Sequence, residues 1–561
     1  MNDGRERIGD IIDSNSRLFD SAETIAVEPA AEFSRGDPDW SRPYIRVIAR
    51  RPDLLRPQLP PQIDGIPIHV VAATMEEQAG FLSALGHASA EQAASEWRTG
   101  ILSSGLEAPR NYSRLTYSGF TPSRLAPVKE PMKITLHVSP DRGWPMLRSF
   151  LSPCDRWSVA MYDFTARHIF DRLIEAVGGS SANLSLCLGP GESGSESSKP
   201  TGISEKEIAD ALREKMGSRF HFAWASVGIR RQFPSAYHIK VAVRDRSAVW
   251  LSSGNWQSTN QPPHDFPGGA DAPLPKDARE MARENREWHV IIENPKLAGI
   301  FADYIEKDRE SAELEGAEPE GAGPAEVEEP AFPADDEFTL QFRVPISPIL
   351  AEEEATRLPR RTFPERVIDD GGNISVQPIL TPDNYAEHAL ELIGKATTRL
   401  WFQNQSLVIG QNVVPGYRAL LDALKKKSWE IDDSRIIIRD LIRVQTLDAL
   451  RMLDRDGFPI HKVRVMKTCH TKGILVDSRW TLVGSHNWTN EGTLYNRDAS
   501  LLFDDPRVTQ YFEEVLDHDW HYLAVHVDVD PAVPSAILPR PGETIPGETV
   551  TLDPRLERLA D

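Results

Sequence analysis

HIKVAVRDRSAVWLSSGNW, residues 238–256, and HTKGILVDSRWTLVGSHNW, residues 470–488, carry the same side chains at the same offsets. In each, a His stands two residues before a Lys, and an Asp follows five after the Lys. A Ser comes eight residues after that Asp, an Asn ten after it, and a Trp directly after the Asn. A shorter echo recurs downstream at a different spacing, as NREWHVII from Asn285 and NRDASLLF from Asn496. An internal repeat of this kind decides the architecture before any single element does.

The apolar and β-branched residues around each His-x-Lys predict a strand. Side chains two apart on a strand share a face, so His238 projects with Lys240 and His470 with Lys472. The polar stretches DRSA from Asp245 and DSRW from Asp477 read as four-residue hairpin loops, pairing Arg244 with Val249 and Val476 with Thr481. In that register Lys240 faces Ser253 and His238 faces Asn255; Lys472 faces Ser485 and His470 faces Asn487. Cross-strand neighbours lie about 5 Å apart, so each copy builds a cluster of His, Lys, Ser and Asn on one sheet face. Such a cluster suits a phosphodiester. Lys supplies a compact charge with three donors, Ser and Asn supply neutral donors for non-bridging oxygens, and His serves as nucleophile or acid/base near neutral pH. One His-x-Lys on a strand is an ordinary structural feature; two complete copies point to a site built from two histidines.

The doubled HxKxxxxD with its trailing GSxN resembles the phospholipase D superfamily, over about residues 130 to 525. That superfamily includes phospholipases, phosphatidyltransferases, some nucleases and tyrosyl-DNA phosphodiesterases. The resemblance implies two α/β halves related by a pseudo-twofold axis, with mixed sheets and a site at their junction. It implies a covalent phosphohistidine and no metal or other cofactor. On the matching positions it makes His238 the nucleophile and His470 the general acid and later the base. Lys240, Lys472, Asn255 and Asn487, with Ser253 and Ser485, become the phosphate-binding groups. Glu287 and Asp498 become the carboxylates that orient the histidines. Asp245 and Asp477 serve the hairpin loops and their salt bridges. Two positions depart from the family pattern: Ser252 stands where the first motif has Gly, narrowing backbone access, and Asp498 is shorter than the usual Glu. Neither removes a reacting group.

A metal centre is the rival use of two histidines with carboxylates, but Lys is no ligand at neutral pH and no Cys/His pair shows zinc spacing. Cys154, Cys187 and Cys469 are too few for a disulfide framework, which fits a reducing compartment. Cys469, next to His470 on the strand, points to the opposite face and is expected to pack inside. Trp256 and Trp488 fit either a substrate groove or the core.

The repeat extends upstream, where the stretch from Ser139 to Thr165 parallels that from Thr381 to Leu407, each reading as turn, amphipathic helix and strand. The halves are placed at 131–305 and 370–525, with an α/β N-terminal extension at 1–130 of no visible chemistry. There IRVIA and IPIHVVAA read as strands and Thr74 through Ala94 as a helix. Residues 306–369 read as an acidic Pro/Gly/Ala-rich linker and connection, and 526–561 as an extended tail. From Asp303 to Glu337 fourteen acids face two bases, so −12 of the net charge of −21 is confined there. Two loops have mobile compositions, GPGESGSESSKPTG from Gly189 and QPPHDFPGGADAPLPKD from Gln261. The second has no counterpart in the other half.

The N-terminus lacks an apolar signal region and no run approaches the roughly 18 apolar residues of a membrane span. These features give a cytoplasmic expectation, with export by a non-Sec route left open. The leading reading is a phospholipase D-type phosphodiesterase hydrolysing a phospholipid or similar diester, for which a monomer holds a complete site. The rival is a metal-independent nuclease, which acidity disfavours because nucleic acid calls for a basic footprint; the short run from Lys425 reads as a solvated helix end. A phosphatidyltransferase and a non-catalytic scaffold are the further alternatives.

Overall fold

Two eight-stranded sheets repeat one plan, and each borrows its edge strand from the segment that precedes the other half. The computed structural model describes residues 3–73, 117, 120–190, 202–263, 284–315, 343–345, 362–527 and 549–551, with short gaps at 22, 35–36, 50–51, 179–180, 229–230, 410–412 and 441–442. The strands of these two sheets, in chain order, begin with β1 (Val128–Pro131), β2 (Lys133–Ser139), β3 (Arg156–Met161), β4 (Asn183–Leu188), β5 (Phe220–Trp224), β6 (Lys240–Arg244), β7 (Ala248–Ser252) and β8 (Glu287–Glu293). The next eight are β9 (Arg366–Ile368), β10 (Asn373–Leu380), β11 (Arg399–Asn404), β12 (Asp433–Arg439), β13 (Val463–Met466), β14 (Lys472–Val476), β15 (Trp480–Gly484) and β16 (Ala499–Asp504).

The first sheet runs β9-β2-β8-β7-β6-β3-β4-β5 and the second β1-β10-β16-β15-β14-β11-β12-β13, the same order position by position. Both are mixed: β3-β4-β5 and β11-β12-β13 pair in parallel, the others antiparallel. The fold is therefore α/β with two like halves. The exchange of β1 and β9 moves the expected boundaries, because residues 128–131 belong to the second half's sheet and 366–368 to the first's.

The linker expected from residue 306 also begins later. The helix Pro295–Leu314 runs on through it, with Asp308, Arg309 and Ala312 buried. Asn294 caps that helix by accepting the Leu297 amide at 2.9 Å, and Pro295 supplies its first turn. Asp505 and Pro506 do the same for Pro506–His518 in the second half. One buried core is shared by both halves, joining Leu251, Val290 and Phe301 to Val483, Leu501 and Phe512. Within it the Trp288 indole stacks on Phe512 and lies against Gly473, where a Cβ would stand 2.3 Å from the ring. Trp256 and Trp488 are fully buried in the separate cores of their own halves, so neither lines a groove.

The N-terminal extension carries the helix Asp3–Ser14 and a four-stranded sheet with its own core around Ile45 and Val47. Both expected strands lie within it, in Asp37–Ala49 and Ile66–Ala72. The helix expected at 74–94, most of the two Gly-rich loops and most of the linker lie outside the described residues. In the tail, Thr549–Thr551 pairs antiparallel with Arg343–Pro345. Among the described residues no helix is long and apolar enough to cross a membrane.

Candidate active site

Each motif hairpin is one residue tighter than its sequence predicts. Arg244 pairs with Ala248 and Val476 with Trp480, so the loops hold three residues. The turns close by the Ser247 amide donating to the Arg244 carbonyl at 2.9 Å and the Arg479 amide to that of Val476 at 3.0 Å. Asp245 and Arg246 sit at φ 51° and 52°, Asp477 and Ser478 at 50° and 53°. Non-glycine residues rarely adopt this region, and no glycine announces the turn. The predicted facings of Lys240 with Ser253 and Lys472 with Ser485 are accordingly replaced. Asp245 and Asp477 hold the turns through backbone amides rather than salt bridges. Asp245 accepts from the amides of Asp155 and Arg156, and Asp477 from those of Thr397, Thr398 and Arg399. Burial would raise the Asp477 carboxyl, but the Thr397 hydroxyl, with these amides, outweighs it and brings it down to about 2.

The cluster still assembles, because its members sit at or just beyond the strand ends and are drawn together across the junction. His238 of the first half places Nδ1 2.8 Å from Asp498 Oδ1 of the second. His470 of the second places Nδ1 2.5 Å from Glu287 Oε1 of the first. Each half thus supplies the carboxylate for the other's histidine. Lys240 Nζ donates to the His238 carbonyl at 2.7 Å, and Lys472 Nζ to that of His470 at 2.8 Å. Lys472 also reaches the Ser253 carbonyl of the opposite half at 3.2 Å and stands 3.1 Å and 3.2 Å from the two His470 ring nitrogens.

The two motif serines are placed differently from their expected phosphate-binding role. Ser253 Oγ donates to Glu287 at 2.5 Å and accepts the Trp288 amide at 3.0 Å. Ser485 Oγ donates to Asp498 at 2.5 Å and accepts the Ala499 amide at 3.1 Å. A hydroxyl has one proton, and here it is given to the carboxylate. Asn255 and Asn487 are buried, and the Oδ1 of each has no protein partner among the described residues.

Burial pushes the His238 imidazole down to about 4; Lys240 adds to the drop and Asp498 opposes it. Burial would raise the Asp498 carboxyl, but the His238 ring beside it wins and holds it below its ordinary range. The pair therefore rests as neutral imidazole and carboxylate at neutral pH. Cys469 is buried and its thiol is pushed by burial up to about 12, so it is no rival nucleophile.

Three neighbours of this cluster carry no assigned role in the sequence. Tyr162 lies edge-on to His238 at 5.0 Å between ring centres, with Lys240 Nζ 5.1 Å from the centre of its ring. Its counterpart in the second half is Gln405, so no repeat marked it. Arg286 and Arg497, the middle residues of the N-R-E and N-R-D echoes, were marked by recurrence. Fully buried Arg286 binds Asp141 of its own half at 2.5 Å and Asp519 of the other at 3.1 Å. Arg497 likewise binds Asp383 at 2.8 Å and Asp308 of the first half at 2.7 Å. Each tripeptide therefore clamps the halves with its Arg and crosses to the far histidine with the next residue.

The family model described as cardiolipin synthase, phospholipase D-like domain, matches residues 389–520, which hold the second complete motif and the N-R-D echo. Over those residues the chain is similar to the phospholipase D-like family. Similar solved structures include the phosphatidylserine synthase of Haemophilus influenzae Rd KW20, at 11% identity over 70% of this chain and 87% of that one, with a TM-score of 0.43. Nuc, a phospholipase D family member from Salmonella typhimurium, is 21% identical over 28% of this chain and 99% of its own, with a TM-score of 0.23. NucT from Helicobacter pylori is 16% identical over 32% and 97%, with a TM-score of 0.24. No curated protein sequence matches the chain.

Proposed function

We propose that this protein is a phosphodiesterase that cleaves a phospholipid or similar diester through a covalent adduct on His238. The observation that carries this reading is the crossed pairing of two histidines and two carboxylates, each His–carboxylate pair drawn from both halves. With Nδ1 of His238 held by the Asp498 carboxylate, the proton rests on Nδ1 and the Nε2 lone pair is free to attack phosphorus. His470, backed by Glu287, protonates the departing oxygen, so one P–O bond breaks as the P–N bond forms. In the second step His470 takes a proton from water, the oxygen attacks phosphorus, and His238 leaves. Lys240 and Lys472 neutralise the charge that gathers on the non-bridging oxygens. The amides of Asn255 and Asn487 complete the phosphate cradle.

Phospholipid is favoured over nucleic acid because the basic run from Lys425 is already neutralised. Lys425 pairs with Asp422 and Asp456, and Lys426 and Lys427 pair with Glu430, all but Asp456 on the helix Pro415–Glu430. Nucleic-acid binding needs unpaired positive charge spread over many phosphates.

The test compares turnover of phosphatidylcholine/phosphatidylethanolamine vesicles with that of single- and double-stranded DNA, in EDTA, with and without a primary alcohol. Head-group release that both His238→Ala and His470→Ala abolish is the expected result. DNA cleavage with lipid untouched would replace the substrate. Exchange of head group for the alcohol with no hydrolysis would make the enzyme a transferase. Activity that survives in both variants would overturn the two-histidine reading.

A further inference from the structure

Two buried imidazoles outside the reacting set make the same bridge in the two halves, but from different chain positions. In the first half His289 Nε2 stands 2.9 Å from Ser139 Oγ and Nδ1 stands 2.7 Å from Ser252 Oγ. In the second, His486 Nε2 stands 2.7 Å from Thr381 Oγ1 and Nδ1 stands 2.7 Å from Ser500 Oγ. Ser139 and Thr381 are equivalent in the repeat. The other two positions have traded places: Ser252, Gly254 and His289 correspond to Gly484, His486 and Ser500. Ser252 lies directly across from His289, and Gly484 directly across from Ser500.

Sterics couple the exchange to the catalytic carboxylates. A Cβ at Gly484 would stand 1.9 Å from Ser500 Oγ and 2.3 Å from the Ala499 carbonyl oxygen, so the second half has no room for a serine at that place. A Cβ at Gly254 would stand 2.5 Å from Glu287 Oε1 and 2.8 Å from its Cγ. The Glu287 side chain therefore travels over Gly254 on its way to His470. At the matching place in the second half a His side chain is present, and the carboxylate is one methylene shorter. The two departures from the family pattern, Ser252 and Asp498, are thus parts of one exchange.

We propose that His289 and His486 are positioning residues. Each ties the strand end that carries a catalytic carboxylate to the Ser139 or Thr381 turn, and the chain position that supplies its imidazole dictates whether that half aims a Glu or an Asp across the junction. The inference rests on the crossed-pair reading of the site, but its central prediction is a coupling between residues 254 and 287 and between 486 and 498.

Asp498→Glu alone should lower kcat by at least about tenfold with KM little changed, because the longer side chain meets His486 and misplaces the carboxylate. Adding His486→Gly should recover a large part of that loss by recreating the first half's geometry. In the other half, Gly254→Ala should lower kcat similarly, and Gly254→Ala/Glu287→Asp should recover it. A purely structural role for His486 predicts the opposite, a double variant worse than Asp498→Glu. That outcome, or additivity in both pairs, overturns the proposal. Should the wild-type protein turn over no phosphodiester, the crossed-pair reading fails. The same two double-mutant cycles, read on urea unfolding, then decide the coupling by themselves: non-additive pairs sustain it and additive pairs overturn it.

Discussion

The two halves share a strand order and a set of reacting groups, but they support them differently. In the second half Trp488 donates its indole N–H to Tyr385 at 2.9 Å, and the Tyr385 ring stacks 3.7 Å from His486. Gly143 holds the place of Tyr385 in the first half. There the Trp256 indole nitrogen and both ends of the Gln261 amide are buried without a partner among the described residues. His137, stacked 4.9 Å from His289, replaces Ile379 of the second half. What both halves preserve is the reach of one carboxylate across the junction and the Arg beside it. A duplicated sheet tolerates divergent packing behind its site as long as the crossing geometry is kept.

In the proposed mechanism the halves differ most in chemistry, and the largest expected effects test that. His238→Ala should remove turnover altogether, since it deletes the attacking nitrogen. His470→Ala should cost roughly 10²–10⁴-fold on a lipid substrate. It should cost far less on a p-nitrophenyl diester, whose leaving group needs no proton. Equal losses on both substrates would erase the distinction between the histidines.

The Arg clamps come next and should behave alike. Arg286→Met or Arg497→Met leaves buried aspartates from both halves uncompensated, at about 3–5 kcal/mol each by urea unfolding. A loss confined to one of the two would show that only one clamp holds the junction.

The turn aspartates should differ in a graded way. Asp477 accepts from three backbone amides and from the hydroxyls of Thr397 and Thr398, whereas Asp245 accepts from two amides. Asp477→Ala should therefore destabilise by about 1–2 kcal/mol more than Asp245→Ala.

The smallest effect is one of pH. Burial holds His238 at about 4 and His137 and His486 at about 3, against 6.5 for free imidazole. The unfolded chain binds protons the folded one refuses, so stability is full above 6.5 and falls as pH drops from there towards 4. His137→Ile, which installs the second half's residue, should flatten that slope in unfolding measurements between pH 4 and 8. An unchanged slope would mean that His137 does not resist protonation.

Much of this was legible because it was written twice. Matched offsets gave the two halves and marked the histidines, lysines and carboxylates that the junction brings together, while their mixed α/β character followed from the family resemblance. The hairpin register was missed because Asp245, Arg246, Asp477 and Ser478 take left-handed turn positions without a glycine to signal it. The crossing of Glu287 to His470 could not be read from spacing, since the echo lies downstream of its own motif and nothing along the chain says which histidine it meets. The exchange of β1 and β9 was hidden in strands of four and three residues. Tyr162 was invisible for the opposite reason: it occurs once.

The most direct test of the crossed, non-equivalent pair is to trap the covalent adduct. The enzyme would be mixed with a p-nitrophenyl phosphodiester, quenched rapidly at alkaline pH, where phosphohistidine survives, and digested for mass spectrometry. The adduct should lie on His238, vanish in His238→Ala and accumulate in His470→Ala, which still forms it but lacks the base to release it. An adduct on His470, or full turnover with none on either histidine, would contradict the account.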